Sequence, residues 1–285
     1  DVERSRGLGD VYKRQILDIV KKRTPTWLPG VPTLYQKIMD AAEDKDVDLS
    51  GIRNAFSGAA TLPVEIVERW ESMTGGRLVE GFGMTECSPV LIGNPMNGKN
   101  RPGYVGLPFP DAEVRIANPK NLDETQPDGQ PGELLARGPQ IFQGYFGNQE
   151  ATEESFHNGW FRTGDMAVME EDGWVRLVSR IKEIIITGGF NVYPAEVEEA
   201  IAEHPDVVDV AAVGRPRQDG SEDVVGCVTL RDGAVLDPEG LKEFCRERLT
   251  RYKVPRTFYH FEDLARDHLG KIRRHQVRKL SLIHI

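Results

Sequence analysis

The stretch RLVEGFGMTECSP, residues 77–89, decides how the chain folds. Arg77 to Val79 has the composition of a short strand. Gly81 and Gly83 flank Phe82 directly after it, the signal of a turn at a strand end. A hydroxyl and a carboxylate, Thr85 and Glu86, follow at once. Each residue has a use there: glycine lets backbone approach a ligand, and Phe82 can cover a purine face. Thr85 can bond a phosphate oxygen, and Glu86 suits Mg²⁺, which prefers oxygen donors. The same six residues also suit an ordinary turn bearing a surface Glu.

Working outward, Ile52 to Phe56 reads as a second strand running into Ser57-Gly58, with a helix from Pro63 to Met73 between the two strands. Upstream, Ile16 to Val20 is helical in pattern, and Pro25 and Pro29 confine Thr26 to Leu28 to an extended piece. A helix after Pro32 carries Leu34, Tyr35, Ile38 and Ala42 on one face. This order is α/β, with ligand-binding loops expected at strand ends. From Pro102 to Ser179 the pattern changes to short strands between Gly, Pro and Asp-Gly turns: Glu113 to Ile116, Glu133 to Arg137, Met166 to Met169 and Trp174 to Val178. Past Arg180 a helix opens at Pro194, strands follow at Val207 to Val213 and Val224 to Leu230, and a further helix is capped by Asp237 before Pro238. The expectation is a β subdomain followed by a small α+β domain.

The chain has 285 residues, 39% hydrophobic and 28% charged, with a formal charge of −9. That composition belongs to a globular protein with enough apolar material to bury a core, and no apolar run approaches a membrane span or a signal peptide, which points to a cytoplasmic protein. Cys87, Cys227 and Cys245 share no CxxC spacing, so neither a disulfide framework nor a zinc site is supported. Between residues 246 and 279 eleven Lys or Arg stand against four acids, making that stretch +7 and the remainder −16. We read this run as a solvated face, and expect no nucleic-acid partner. No basic amphipathic helix of membrane-surface type stands out. Residues 1–15 and 280–285 lack caps and a sustained apolar period, and read as non-native flanks.

Three further segments carry candidate chemistry. In Gly159 to Asp165, Asp165 is either a turn residue or a carboxylate that accepts both hydroxyls of a ribose. Ser179-Arg180-Ile181-Lys182-Glu183, running on to Gly188-Gly189, suits a hinge or a plain linker. Gly270-Lys271 puts a mobile ammonium behind a flexible glycine, suited to an anionic transition state.

Taken in order, Ser57-Gly58-Ala59-Ala60-Thr61-Leu62-Pro63, Gly81 to Pro89, Gly132-Glu133-Leu134, Gly138-Pro139-Gln140, Gly144-Tyr145, Gly159 to Asp165, Arg180 to Glu196 and Gly270-Lys271 resemble the successive motifs of the adenylate-forming acyl-CoA synthetases. The likeness is strongest to bacterial long-chain fatty acyl-CoA ligases. It implies the carboxy-terminal part of a large AMP-binding domain over 16–179, divided into an α/β layer (16–100) and a β-barrel-like subdomain (101–179), then a mobile α+β domain over 180–279. It also implies ATP, Mg²⁺ and CoA as cofactors and co-substrates, and a fatty acid as substrate. By this resemblance Ser57, Gly58, Ala59 and Ala60 line the adenine, with Gly81 and Gly83 beside Phe82, which stacks on the base. Thr85 touches the α-phosphate, Glu86 holds Mg²⁺, and Asp165 with Arg180 fixes the ribose. Lys271 bridges carboxylate and α-phosphate, Lys182 is the hinge, and Gly188 and Gly189 lie near the pantetheine path. Alternatives are an aryl- or medium-chain ligase, or a nucleotide-binding module without turnover. The family's Ser/Thr/Gly-rich phosphate loop with its lysine has no counterpart in these residues, so weak adenylation by this polypeptide is expected. Near Lys271 the family's usual Pro and Ser or Thr are replaced by Ala265 and Leu269.

Overall fold

A computed structural model describes residues 16–23, 25–217, 219–267 and 271–283. Leu269, Gly270 and most of the two expected flanks lie outside them. Residues 16–23 form helix α1. Helix α2, Pro32–Lys45, starts on a proline whose φ is preset for the first turn and stops at Asp46 in the left-handed region, whose N–H returns to the Ala42 carbonyl. Its buried residues are Pro32, Tyr35, Ile38, Met39 and Ala42; of the expected stripe, Leu34 is only partly buried against that core, and Met39 joins it. Helix α3, Val64–Thr74, buries Val67 and Trp70 and ends at Gly75. Tyr35 meets Trp70 edge-on, with ring centroids 5.0 Å apart. Its hydroxyl lies 2.9 Å from the carbonyl oxygens of Leu28 and Phe56, donating to one at a time. Burial of each such side chain contributes roughly 1.5–3 kcal/mol.

These helices connect strands β1 (Trp27–Gly30), β2 (Asn54–Ser57) and β3 (Arg77–Gly83), which pair in parallel, while β4 (Val90–Gly93) and β5 (Leu107–Pro108) add antiparallel. One expectation is corrected here. Gly81-Phe82-Gly83 is not a turn but the second half of β3. A Cβ on Gly81 would overlap the Phe56 ring, and one on Gly83 would overlap the Pro89 carbonyl oxygen. The glycines therefore serve close packing across the sheet rather than a reversal of the chain.

The β subdomain joins β6 (Glu113–Asn118), β7 (Asn121–Thr125), β8 (Gly132–Arg137), β10 (Trp160–Met169) and β11 (Val175–Arg180) in the order β11-β10-β8-β6-β7. The short β9 (Phe156–His157) pairs with β10, and the one-and-a-half-turn α4 (Gln149–Glu154) precedes it. The chain divides into two compact units. The first runs to Thr163 and takes up Val168–Leu177; the second holds Gly164–Ala167 and the described residues from Val178 on.

In the second unit a hairpin of β12 (Ile185–Thr187) and β13 (Phe190–Val192) turns through Gly188 and Gly189, at φ +56° and +83°. Two successive positive φ values give the turn whose twist matches the strands, and glycine adopts them without strain. Helix α5 (Pro194–Ala202) follows, then β14 (Val207–Pro216) antiparallel to β15 (Glu222–Leu230), with β16 (Thr257–His260) parallel to β15. Alternate residues of β14 serve opposite faces. Val210 and Ala212 join Val197, Ile201, Leu241, Cys245 and Phe258, whereas Ala211 and Val213 join Cys227, Leu264 and Val277. Helix α6 (Pro238–Arg246) is capped as predicted: the Asp237 carboxylate accepts from the Gly240 N–H at 3.0 Å. Helix α7 spans Arg274–Ile283, so residues 280–283 continue a helix, with Ser281 buried. An α/β layer, a β subdomain and a small α+β domain are thus present, the fold class that the sequence implies. No described helix is long and apolar enough to cross a membrane.

Candidate nucleotide-binding site

In the first unit β2 ends at Ser57 and its chain continues through Gly58, Ala59 and Ala60 to Leu62. Ser57 is fully buried and its Oγ has no hydrogen-bond partner among the described residues. Ala59 adopts φ +68°, the left-handed region that non-glycine residues rarely enter. Strained backbone beside an unsatisfied hydroxyl is a feature that packing alone does not reward. Neighbouring β3 presents Phe82, buried, between Gly81 and Gly83. Thr85 and Glu86 lie on a single 3₁₀ turn, Thr85–Cys87, with Thr85 exposed and Glu86 half-exposed.

Two residues that sequence reasoning gave no role hold this strand end. The Tyr145 hydroxyl donates to Glu86 Oε1 at 2.8 Å, and the Phe142 N–H donates to the Glu86 carbonyl at 2.8 Å. Gly144-Tyr145 stood out as a motif, but the 59 residues separating Tyr145 from Glu86 hid the pairing. Glu80 is the second: its buried carboxylate accepts from the Leu62 N–H at 3.3 Å, bracing the Ser57–Leu62 segment. Burial pushes its pKa up to about 7, against the opposing pull of that N–H. A carboxylate between Val79 and Phe82 on an apolar strand was the available signal. The Gly132–Leu134 and Gly159–Asp165 motifs also meet, through a fork in which Arg162 donates twice to buried Glu133, at 3.0 Å each.

In the second unit Asp165 is 5% exposed, and Arg180 Nε lies 3.2 Å from its Oδ1. Burial raises the Asp165 pKa, and the positive charges of Arg180 and Lys271 oppose the rise. A buried carboxylate with an exposed guanidinium beside it can accept from two vicinal hydroxyls. Lys182 is exposed on the 3₁₀ turn Ile181–Glu183. Lys271 is exposed too, but its backbone is fixed on both sides. Its N–H donates to Asp267 Oδ1 at 2.9 Å, its carbonyl accepts from the Asp267 N–H at 2.8 Å, and Arg266 bridges Ile272. A short ladder therefore presents the lysine.

Among the described residues no group of three His, Cys, Asp or Glu could hold a metal. A lone carboxylate with an exposed approach, as at Glu86, fits Mg²⁺ that keeps waters and bridges to substrate phosphate, rather than a cation caged by protein.

The AMP-binding enzyme family model matches residues 7–146, and the model of its C-terminal domain matches 196–271. The chain belongs to the AMP-binding enzyme family. The first match starts at residue 7, inside the expected flank. A long-chain-fatty-acid–CoA ligase of Bacillus subtilis is 40% identical over 263 residues, covering 92% of this chain and 47% of that protein. ATP-bound MatB from Rhodopseudomonas palustris superimposes with a TM-score of 0.85 at 32% identity, over 94% of this chain and 53% of that one. O-succinylbenzoate coenzyme A synthetase of Bacillus subtilis, in complex with ATP and magnesium ion, gives 0.79 at 25% identity over 93% of this chain and 54% of that one. This member of the family spans about half the length of the curated relatives it matches.

Proposed function

We propose that the chain belongs to an ATP-dependent acid–thiol ligase that converts a long-chain fatty acid to acyl-adenylate and then to acyl-CoA. The observation that carries this is buried Asp165, paired with Arg180 and under the charge of Lys271, in a chain of this family. In the first half-reaction a carboxylate oxygen attacks the α-phosphorus of ATP and pyrophosphate leaves. In the second the CoA sulfur attacks the acyl carbon, loses its proton, and AMP departs.

Phe82 covers the adenine, Ser57 to Ala60 run along its edge, and Asp165 with Arg180 orients the ribose. Thr85 donates to the α-phosphate. Lys271 brings an ammonium to the oxygens on which negative charge accumulates, the form of catalysis that phosphoryl transfer rewards most. Glu86, held by Tyr145, would hold Mg²⁺, which would supply positive charge against that of the departing pyrophosphate. Gly188 and Gly189, without side chains, leave room for a pantetheine arm, and Lys182 acts as hinge. Long-chain preference is supported by 40% identity to the Bacillus subtilis ligase.

Pyrophosphate exchange into ATP, run with the full-length protein that contains this chain and driven in turn by palmitate, hexanoate and benzoate, tests the reading. Palmitate gives the fastest exchange; hexanoate or benzoate outrunning it would overturn the chain-length assignment. No exchange with any acid, in a full-length protein that still binds AMP, would leave a binding module in place of a ligase.

A further inference from the structure

Lys271 stands three residues before the start of α7, and the first residue of that helix, Arg274, donates three hydrogen bonds to two carboxylates. Its Nε and Nη2 donate to the two oxygens of Glu198 on α5, at 3.0 and 2.7 Å, and its Nη1 donates to Glu183 at 2.9 Å. Glu198 Oε1 also accepts from the Ala212 N–H of β14 at 2.8 Å. The group is largely withdrawn from water, with side-chain exposures of 21% for Arg274, 14% for Glu198 and 30% for Glu183. Three charge-assisted bonds from one planar fork fix orientation as well as distance, which an ammonium cannot do. Glu183 closes the turn that carries Lys182, and 91 residues separate it from Arg274. On the other side the Arg273 N–H donates to the Ala265 carbonyl at 2.7 Å, closing the ladder that presents Lys271.

We propose that Arg274 is a positioning residue for Lys271: its guanidinium ties the lysine-bearing ladder to the turn Ile181–Glu183 and to α5, so that ladder and turn hold or loosen as one piece. This rests on the role given to Lys271 under the proposed function. The bond geometry favours it over a purely structural role, because the Glu198 fork alone would satisfy the fold. The third bond, to Glu183, adds a tether to a turn that contributes no buried residue to the core.

The test is amide hydrogen exchange on the whole chain, comparing wild type with Glu183→Ala and Glu183→Gln. Both variants leave the Arg274–Glu198 fork intact. In Glu183→Ala the amides of residues 271–273 exchange at least tenfold faster, together with those of 181–187, while β14 and β15 are unchanged. Glu183→Gln keeps an acceptor and recovers at least half of the lost protection on a logarithmic scale. Loosening confined to 181–187, or an equal loss across β14 and β15, overturns the proposal. The parent reading fails separately, if Lys271→Ala in the full-length protein leaves pyrophosphate exchange at the wild-type rate.

Discussion

Glu80 shows what a single titratable side chain costs when a strand buries it. Its carboxyl is 8% exposed, and its pKa is pushed up from 4.5 to about 7. A raised carboxyl pKa means that the folded state favours the protonated form. Its stabilising share is complete below pH 4.5 and is lost as pH rises through about 7. A shift of this size corresponds to about 3 kcal/mol, most of it lost between pH 5 and 8. Glu80→Gln has no such loss, so its stability relative to wild type rises by about 2–3 kcal/mol from pH 5 to pH 8 in urea unfolding. Parallel pH profiles for the two proteins would show that Glu80 does not titrate in this range.

At the scale of elements, β3 carries the clearest departure from the sequence reading. Two glycines within three residues signal a turn in local terms, yet here they admit Phe56 from β2 and the Pro89 carbonyl from the adjoining segment. Gly83→Ala forces backbone against backbone and costs about 2 kcal/mol or more in denaturant unfolding. Gly58→Ala, whose Cβ would lie 4.0 Å from its nearest neighbour, costs less than about 0.5 kcal/mol. Equal costs would remove the packing explanation. The α6 cap at Asp237 and the α2 stripe from Tyr35 to Ala42 were legible because both are set within one or two helical turns. The Tyr145–Glu86 bond and the Arg274–Glu183 tether were not, since each joins residues that only the folded chain brings together. Asp165 was legible only as an alternative. Gly164-Asp165 has the form of a turn, but lies inside β10, with Gly164 at φ +73°.

Over the whole molecule, Ser57 to Ala60 and Gly81 to Glu86 fall in the first unit, and Asp165, Arg180 and Lys271 in the second. Each group has its own bracing, through Glu80 and Tyr145 in one and through Arg274 in the other. The order of motifs along the chain, rather than any one of them, made the family legible, because each alone has an ordinary structural use. The most direct measurement is a calorimetric titration of the chain with a non-hydrolysable acyl-adenylate, in wild type and in Asp165→Ala. Two charge-assisted hydrogen bonds to the ribose are at stake, each contributing roughly 1.5–3 kcal/mol. The account predicts saturable binding by wild type and at least a hundredfold weaker binding by Asp165→Ala. Equal affinity in the two proteins, or no binding by wild type, would contradict it.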